Sequence, residues 1–296
     1  MRVIGWVVAG LFLAGPPALA RQQVETAAAP VAAASKRDLA YGALPAQKLD
    51  FYLPTRATHA PPPLVVFVHG GGWRMGNKEN ATGTPKIAHL RDAGYAFATI
   101  DYRLIPEAPV ERQAEDVAAA LGWLIAHARE LGFDPNHVVL MGHSAGAHLS
   151  ALVGTDPQYL EKQGLAPERL RGVILLDGAA YDVPAQLAEA GRFMQPIYDQ
   201  AFGSDPARQR RLSPITHAAA PNAPSFLILH VDRADGTRQS EALAAALRAA
   251  GSKVVVQGIE GRGLRGHVAM NRQLGAADYP ATAIVDRWLS ATFSPR

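Results

Sequence analysis

The 296 residues contain no cysteine, which excludes a disulfide framework, a thiolate metal site and a cysteine nucleophile. A charge excess is nearly missing as well. Lys and Arg number 29 against 26 Asp and Glu, a net of +3, and the densest basic cluster is only Arg208, Arg210 and Arg211. So small an excess gives no footprint for nucleic acid. Long apolar runs are also lacking: the stretch from Val3 to Ala14 is broken by Gly15-Pro16-Pro17, short of the roughly 20 residues a membrane-spanning helix needs. What remains is 48% hydrophobic and 19% charged, the composition of a soluble globular protein, and a chain near this length can form one α/β domain with a single large core.

The first twenty residues carry Arg2, that short apolar stretch and a small-residue site, Ala18-Leu19-Ala20, the pattern of a cleavable secretory signal. The expected protein is exported, to a periplasmic or extracellular space, without stable membrane insertion once the signal is removed. Residues 21–45 are Ala-rich without apolar periodicity and are expected to be a disordered leader, with the folded domain over 46–296 beginning near Gln47. From there short apolar runs alternate with helical patterns, the sign of a mostly parallel sheet with helices on both faces. Strands are expected at Leu64 to Val68, Tyr95 to Ile100, Val138 to Met141, Val173 to Leu176, Phe226 to Val231 and Val254 to Gly258. Helices are expected over Val110 to Ala128, from about Ala145, over Gln239 to Ala250 and over Ala281 to Leu289. A Pro-punctuated stretch, Tyr181 to Pro224, reads as a small cap or rim.

Two glycine motifs carry chemistry. Gly142-His143-Ser144-Ala145-Gly146 follows one expected strand and opens one expected helix, the context a G-x-S-x-G nucleophile elbow requires. The tight turn would hold the Ser144 hydroxyl out from the sheet, so its near neighbours must be small. His69-Gly70-Gly71-Gly72-Trp73 follows the Leu64 to Val68 strand, and such a loop can aim backbone N–H groups into one space. Attack on a carbonyl develops charge on oxygen, and the amides of Gly71, Gly72 and Ala145 would form the oxyanion hole that receives it. A phosphate-binding loop would need a P-loop lysine or GxGxxG spacing, and neither is present.

A serine hydroxyl needs a base to take its proton. Of the 10 histidines, His143 and His148 flank the elbow but cannot easily turn back onto Ser144. His59, His89, His127, His137 and His217 lie on surface-like segments, while His69 and His230 read as structural hydrogen bonders. His267 follows the last expected strand within a Gly/Arg-rich loop, Gly261 to Gly266, and is well placed to reach Ser144. Two carboxylates stand just beyond the Phe226 to Val231 strand as candidates to orient it, Asp232 and Asp235. Asp232 is nearer the strand end, whereas Asp235-Gly236 suits a turn or a helix cap, and Asp232 is preferred.

Together these residues resemble the α/β-hydrolase superfamily, and within it the HGGG-bearing carboxylesterases related to hormone-sensitive lipase and kynurenine formamidase. The resemblance runs from about Gln47 to the last helix. It includes Asp101-Tyr102-Arg103-Leu104 ahead of a long helix with Asp116, the stretch Phe202-Gly203-Ser204-Asp205-Pro206 with Ser213-Pro214, and the chain order Ser, Asp, His. It implies Ser144 as nucleophile, His267 as base and the three amides as oxyanion hole. Counting back from Gln239-Ser240 lands the family's acid on Asp232, although His230-Val231-Asp232 departs from the family's His-Gly spacing.

The function expected is a serine hydrolase acting on small carboxylic esters through an acyl-enzyme, with no metal or cofactor. An arylformamidase would use the same groups. A serine peptidase is disfavoured, because no gating domain precedes the core and nothing anchors an amine. A catalytically silent binding protein would be marked by a lost serine or histidine, and both are intact. Arg262 and Arg265 near His267 would suit an anionic ester, though exposed loop arginines are usually only solvated.

Overall fold

The computed structural model describes residues 36–57, 59–219 and 221–294. The expected signal and the first part of the expected leader lie outside the described residues. The rest of that leader is ordered, which moves the start of the domain: Lys36–Ala40 forms β1, antiparallel to β2 (Lys48–Tyr52). Its Lys-Arg-Asp-Leu-Ala sequence shows no apolar alternation because both faces of this edge strand are largely open. Backbone pairing holds it, together with ion pairs such as Lys36 to Glu130 (2.6 Å) and Arg37 to Glu79 (2.6 Å).

The chain continues through β3 (Leu64–Val68), α1 (Thr84–Asp92), β4 (Ala96–Ile100), α2 (Val110–Ala126), α3 (Ala128–Leu131), β5 (Val138–His143), α4 (Ala145–Thr155), α5 (Pro157–Glu161) and β6 (Gly172–Leu176). Four short helices follow: α6 (Val183–Glu189), α7 (Gln195–Phe202), α8 (Pro206–Arg211) and α9 (Pro214–His217). The last part is β7 (Ser225–Asp232), α10 (Ala234–Ala249), β8 (Lys253–Arg262), α11 (Gly263–Gln273) and α12 (Pro280–Phe293).

The eight strands among the described residues form one sheet in the order β1-β2-β4-β3-β5-β6-β7-β8, parallel from β4 to β8. This is the α/β-hydrolase arrangement that the motifs imply. The runs β3 to β6 are apolar almost throughout because both faces are covered, as parallel sheets require. Alternate residues feed two cores. Val66 and Val68 pack with α2, α4 and α10, while Val65 and Phe67 pack with α1, α11 and α12. The C-terminal ends of β3, β5, β6 and β7 therefore meet at one edge of the sheet, and the expected cap, resolved as α6 to α9, lies beside it. Two local boundaries differ from expectation. Helix α10 begins at Ala234, five residues before Gln239, and the Gly/Arg-rich segment that reads as a loop is divided between the end of β8 and the start of α11, so His267 sits on a helix.

Candidate active site

Ser144 stands between β5 and α4 with φ 56° and ψ −121°, a left-handed conformation that a non-glycine residue adopts only where surroundings enforce it. Its amide donates to the Leu176 carbonyl of β6 at 3.0 Å. The elbow is small of necessity. A Cβ on Gly146 would lie 2.2 Å from the carbonyl oxygen of Val68, so only glycine lets α4 start this close to β3.

The glycine loop after β3 comes against the same serine, since a Cβ on Gly70 would lie 2.9 Å from that of Ser144. Gly71 has φ 129°, and its carbonyl accepts from the amides of Arg74 and Met75, closing a tight turn. Among the described residues the amides of Gly71, Gly72 and Ala145 have no protein acceptor, so three donors are left free beside the hydroxyl. The loop is braced from below. The Trp73 carbonyl accepts from the Gln113 side chain (2.8 Å) and the Ile105 amide (3.0 Å), and its ring packs against His148, Tyr198 and Phe202. The Asp101 to Leu104 segment is tied down in turn by a two-bond pair of Arg103 with Asp116 on α2 (2.8 and 2.7 Å).

His267 projects from α11 into this space. Its Nδ1 lies 2.6 Å from Oδ2 of Asp177, the residue directly after β6. With Nδ1–H donating to the carboxylate, Nε2 is the free acceptor nitrogen. The other oxygen of Asp177 accepts from the Val231 amide at 3.0 Å, the Asp177 amide donates to Leu229, and the Arg233 guanidinium Nε stands 3.1 Å from Oδ2. Asp177 is fully buried, so its charge depends on these partners. The His267 carbonyl accepts from His143 Nε2 at 3.0 Å, with the two rings 4.5 Å apart. Burial, reinforced by His267 and Lys86, holds His143 well below the usual histidine range, which keeps it a neutral donor to that carbonyl. One turn further along α11, the Lys86 side chain bonds that of Asn271 at 2.7 Å, joining α1 to the histidine helix.

The carboxylate expected to orient His267 is thus corrected. Asp232 does not approach the ring: a bulge between His230 and Asp232 turns it outward, where it is 65% exposed and paired with Arg262 at 2.8 Å. Asp235, the other candidate, lies in the first turn of α10 and bonds Gln186. Asp177 takes the place by the histidine because β6 lies next to the nucleophile strand and Val231 holds its carboxylate with a backbone amide. A signal for it was available: a fully buried five-residue strand, Gly172–Leu176, is followed at once by a charged residue, Asp177. Arg233, equally unforeseen, follows β7 where a hydrolase carboxylate was expected. Of the expected arginines, Arg262 is occupied by Asp232.

Ser144, His267, Asp177, Gly71, Gly72 and Ala145 line one cavity of about 740 Å³. Met75, Met194, Ile197, Tyr198, Leu264 and Val268 supply its apolar wall, and Arg74, Arg233 and Arg272 its charge.

Similarities to known proteins follow the same lines. The chain is 32% identical over 209 residues to Esterase LipC of Mycobacterium tuberculosis, a match covering 67% of this chain and 51% of the relative. Over 116 residues it is 38% identical to a probable isoprenylcysteine alpha-carbonyl methylesterase, ICMEL1, of Arabidopsis thaliana, covering 39% of this chain and 24% of that one. It therefore spans about half the length, or less, of these curated relatives. Among solved structures, Esterase B from Lactobacillus rhamnosis superposes with a TM-score of 0.70 at 25% identity, over 87% of this chain and 85% of that one. The esterase Est2 of Thermogutta terrifontis, solved with butyrate bound, superposes at 0.66 with 24% identity, over 84% and 91%, a likeness of fold. The BD-FAE family model matches residues 49–247, and with that span taking in about two thirds of its length, the chain belongs to the BD-FAE family of α/β-hydrolases.

Proposed function

We propose that the protein is a carboxylic ester hydrolase that works through Ser144, with His267 as base and Asp177 as the acid that orients it. The observation that carries this reading is the 2.6 Å bond between His267 and Asp177 in the cavity that also holds Ser144 and three undonated amides. In the first half-reaction His267 Nε2 takes the Ser144 proton as Oγ bonds to the ester carbonyl carbon, and the carbonyl oxygen becomes an oxyanion facing the amides of Gly71, Gly72 and Ala145. Asp177 stabilises the imidazolium that results. His267 then gives its proton to the leaving alkoxide as the tetrahedral centre collapses, releasing an alcohol and leaving an acyl group on Ser144. In the second half a water loses its proton to His267 and attacks the acyl carbon; collapse frees the carboxylic acid and returns the proton to Ser144. Each oxyanion donor is expected to contribute about 3–4 kcal/mol to the transition state.

LipC and Esterase B, both named as esterases, support ester hydrolysis over other acyl transfers. The substrates are proposed to be small carboxylic esters, and the protein is proposed to act after export, on the strength of its first twenty residues. Turnover of 4-nitrophenyl acetate and butyrate by purified protein, beside formylkynurenine and the Ser144→Ala variant, tests the reading. Ester turnover lost in Ser144→Ala, with an organophosphate labelling Ser144 in the parent, is the expected result. Turnover undiminished in Ser144→Ala would overturn it, and a formamide preferred over every ester would replace the substrate class.

A further inference from the structure

Most of the large apolar side chains that this fold leaves exposed gather in one place. Of the eight large ones among the described residues, Leu264 (75% exposed), Met75 (56%), Met194 (41%) and Val268 (37%) line one cavity, and Phe193 (78%) adjoins Met194 in the chain, while Leu44, Leu53 and Val255 stand elsewhere. Met75 comes from the glycine loop, Met194 from the start of α7 with Phe193 beside it, and Leu264 and Val268 from successive turns of α11. Four of them line the catalytic cavity directly. Single exposed apolar residues mean little, but a ring of them drawn from three separate elements is what a docking surface looks like.

Four arginines stand beside the ring. Arg74 precedes Met75, Arg192 precedes Phe193 and stands over its ring at 4.6 Å, and Arg265 follows Leu264. Arg272 lies one turn beyond Val268. Among the described residues none of these four arginines has a carboxylate within ion-pair distance. Along the cavity wall the imbalance is the same. Its charged groups are Arg74, Arg233 and Arg272, and its carboxylate, Asp177, is buried and already taken by His267 and Arg233. Apolar tips with cations beside them suit an anionic lipid surface, where the tips enter the headgroup boundary and the guanidiniums meet phosphates.

We infer that the mouth of the cavity is a docking face for anionic bilayers, which sets the protein with its catalytic opening against the lipid. The contact is peripheral, since among the described residues no helix is long and apolar enough to cross a membrane. A neutral surface would leave the arginines unanswered. The consequence, resting on the ester-hydrolase reading, is that esters partitioned into an anionic surface reach Ser144 without crossing bulk water.

Sedimentation with lipid vesicles tests the face apart from the chemistry, using full-length mature protein carrying Ser144→Ala so that turnover plays no part. Vesicles of phosphatidylcholine alone are compared with vesicles holding 30% phosphatidylglycerol, a probe composition, at low and at high salt. Binding to the anionic vesicles, weakened by salt, is expected. Phe193→Ser with Leu264→Ser should weaken it at least tenfold, and Arg192→Gln with Arg265→Gln about fivefold per arginine lost. Circular dichroism of the variants shows that they remain folded. No sedimentation with either vesicle, equal sedimentation with both, or full binding by both double variants would each overturn the inference. Protection of the face from proteolysis by a soluble anionic amphiphile with no vesicle binding would overturn it in favour of a dissolved ligand. Activity of the parent on 4-nitrophenyl acetate is measured separately, so failure of the docking face and failure of the esterase reading are told apart.

Discussion

Asp177 Oδ2 and His267 Nδ1 lie 2.6 Å apart, which joins the end of β6 to α11 across the C-terminal edge of the sheet. A carboxylate in this place fixes the tautomer of the ring and answers the charge that the ring acquires. Asp177→Asn is expected to lower kcat for 4-nitrophenyl acetate by about a thousandfold or more, with KM changed little. Asp232→Asn and Asp235→Asn are expected to stay within about threefold of the parent, since neither side chain touches His267. The three variants assayed side by side decide the matter, and a large loss confined to Asp232→Asn would return the role to the residue that sequence reading preferred.

Arg233 is the cation set against that buried carboxylate, with Nε 3.1 Å from Asp177 and Nη2 donating to the Gly178 carbonyl. Removing one partner of a buried pair leaves the other uncompensated, which typically costs about 3–5 kcal/mol. Arg233→Met should therefore lower Tm and also lower kcat, as Asp177 loses the contact that keeps it aimed at His267. Arg233→Lys restores the charge without the fork of donors, so it should recover much of the stability and only part of kcat. Stability and kcat recovering together to parent values in Arg233→Lys would show that charge alone is at work.

The central strands β3 to β7 were legible in the sequence because they are buried on both faces and so are written as nearly unbroken apolar runs, such as Leu64 to Val68. The elbow and the glycine loop were legible for a different reason: residues Gly146 and Gly71 occupy places where a side chain has no room, and that constraint shows as short, fixed motifs. His267 followed from chain order. Asp177 did not, because the relation that selects it is lateral. The Val231 amide, Leu229 carbonyl and Arg233 that hold it lie more than fifty residues away along the chain, and the bulge that turns Asp232 outward depends on the pairing of β7 with β8. Strand β1 was illegible for want of any apolar pattern, since an edge strand with open faces buries almost nothing.

The oxyanion loop should be intolerant of a single methyl. A Cβ on Gly71 would fall 1.9 Å from the carbonyl oxygen of Met75 at a φ of 129°, so Gly71→Ala cannot be accommodated without moving the turn that places the amides of Gly71 and Gly72. Loss of one well-placed donor lowers kcat by about a hundred- to a thousandfold, and displacement of the loop should do at least as much. Organophosphate labelling of Ser144 needs the same hole and should slow in parallel. Parent-like kcat in Gly71→Ala would remove this loop from the mechanism.

The buried histidines should make the fold sensitive to mild acid. Burial pulls both His69 and His148 from 6.5 down to about 4, the first stacked on Tyr102 and the second held between the Trp73 indole and the Leu212 carbonyl. Each is neutral when folded, so below pH 6.5 the unfolded chain takes up a proton that the native protein refuses. Stability is fully present above that pH and is lost as pH falls toward 4, by about 3 kcal/mol for each histidine, with His143 adding in the same direction. Urea unfolding at pH 7.5, 5.5 and 4.5 measures the slope. His148→Gln removes one titrating group while a side-chain amide can still meet both the Trp73 and the Leu212 partners. That variant should lose less stability between pH 6.5 and 4.5 than the parent, by about one histidine's share, whatever its stability at neutral pH. An unchanged acid slope in His148→Gln would mean that His148 carries no part of the acid sensitivity.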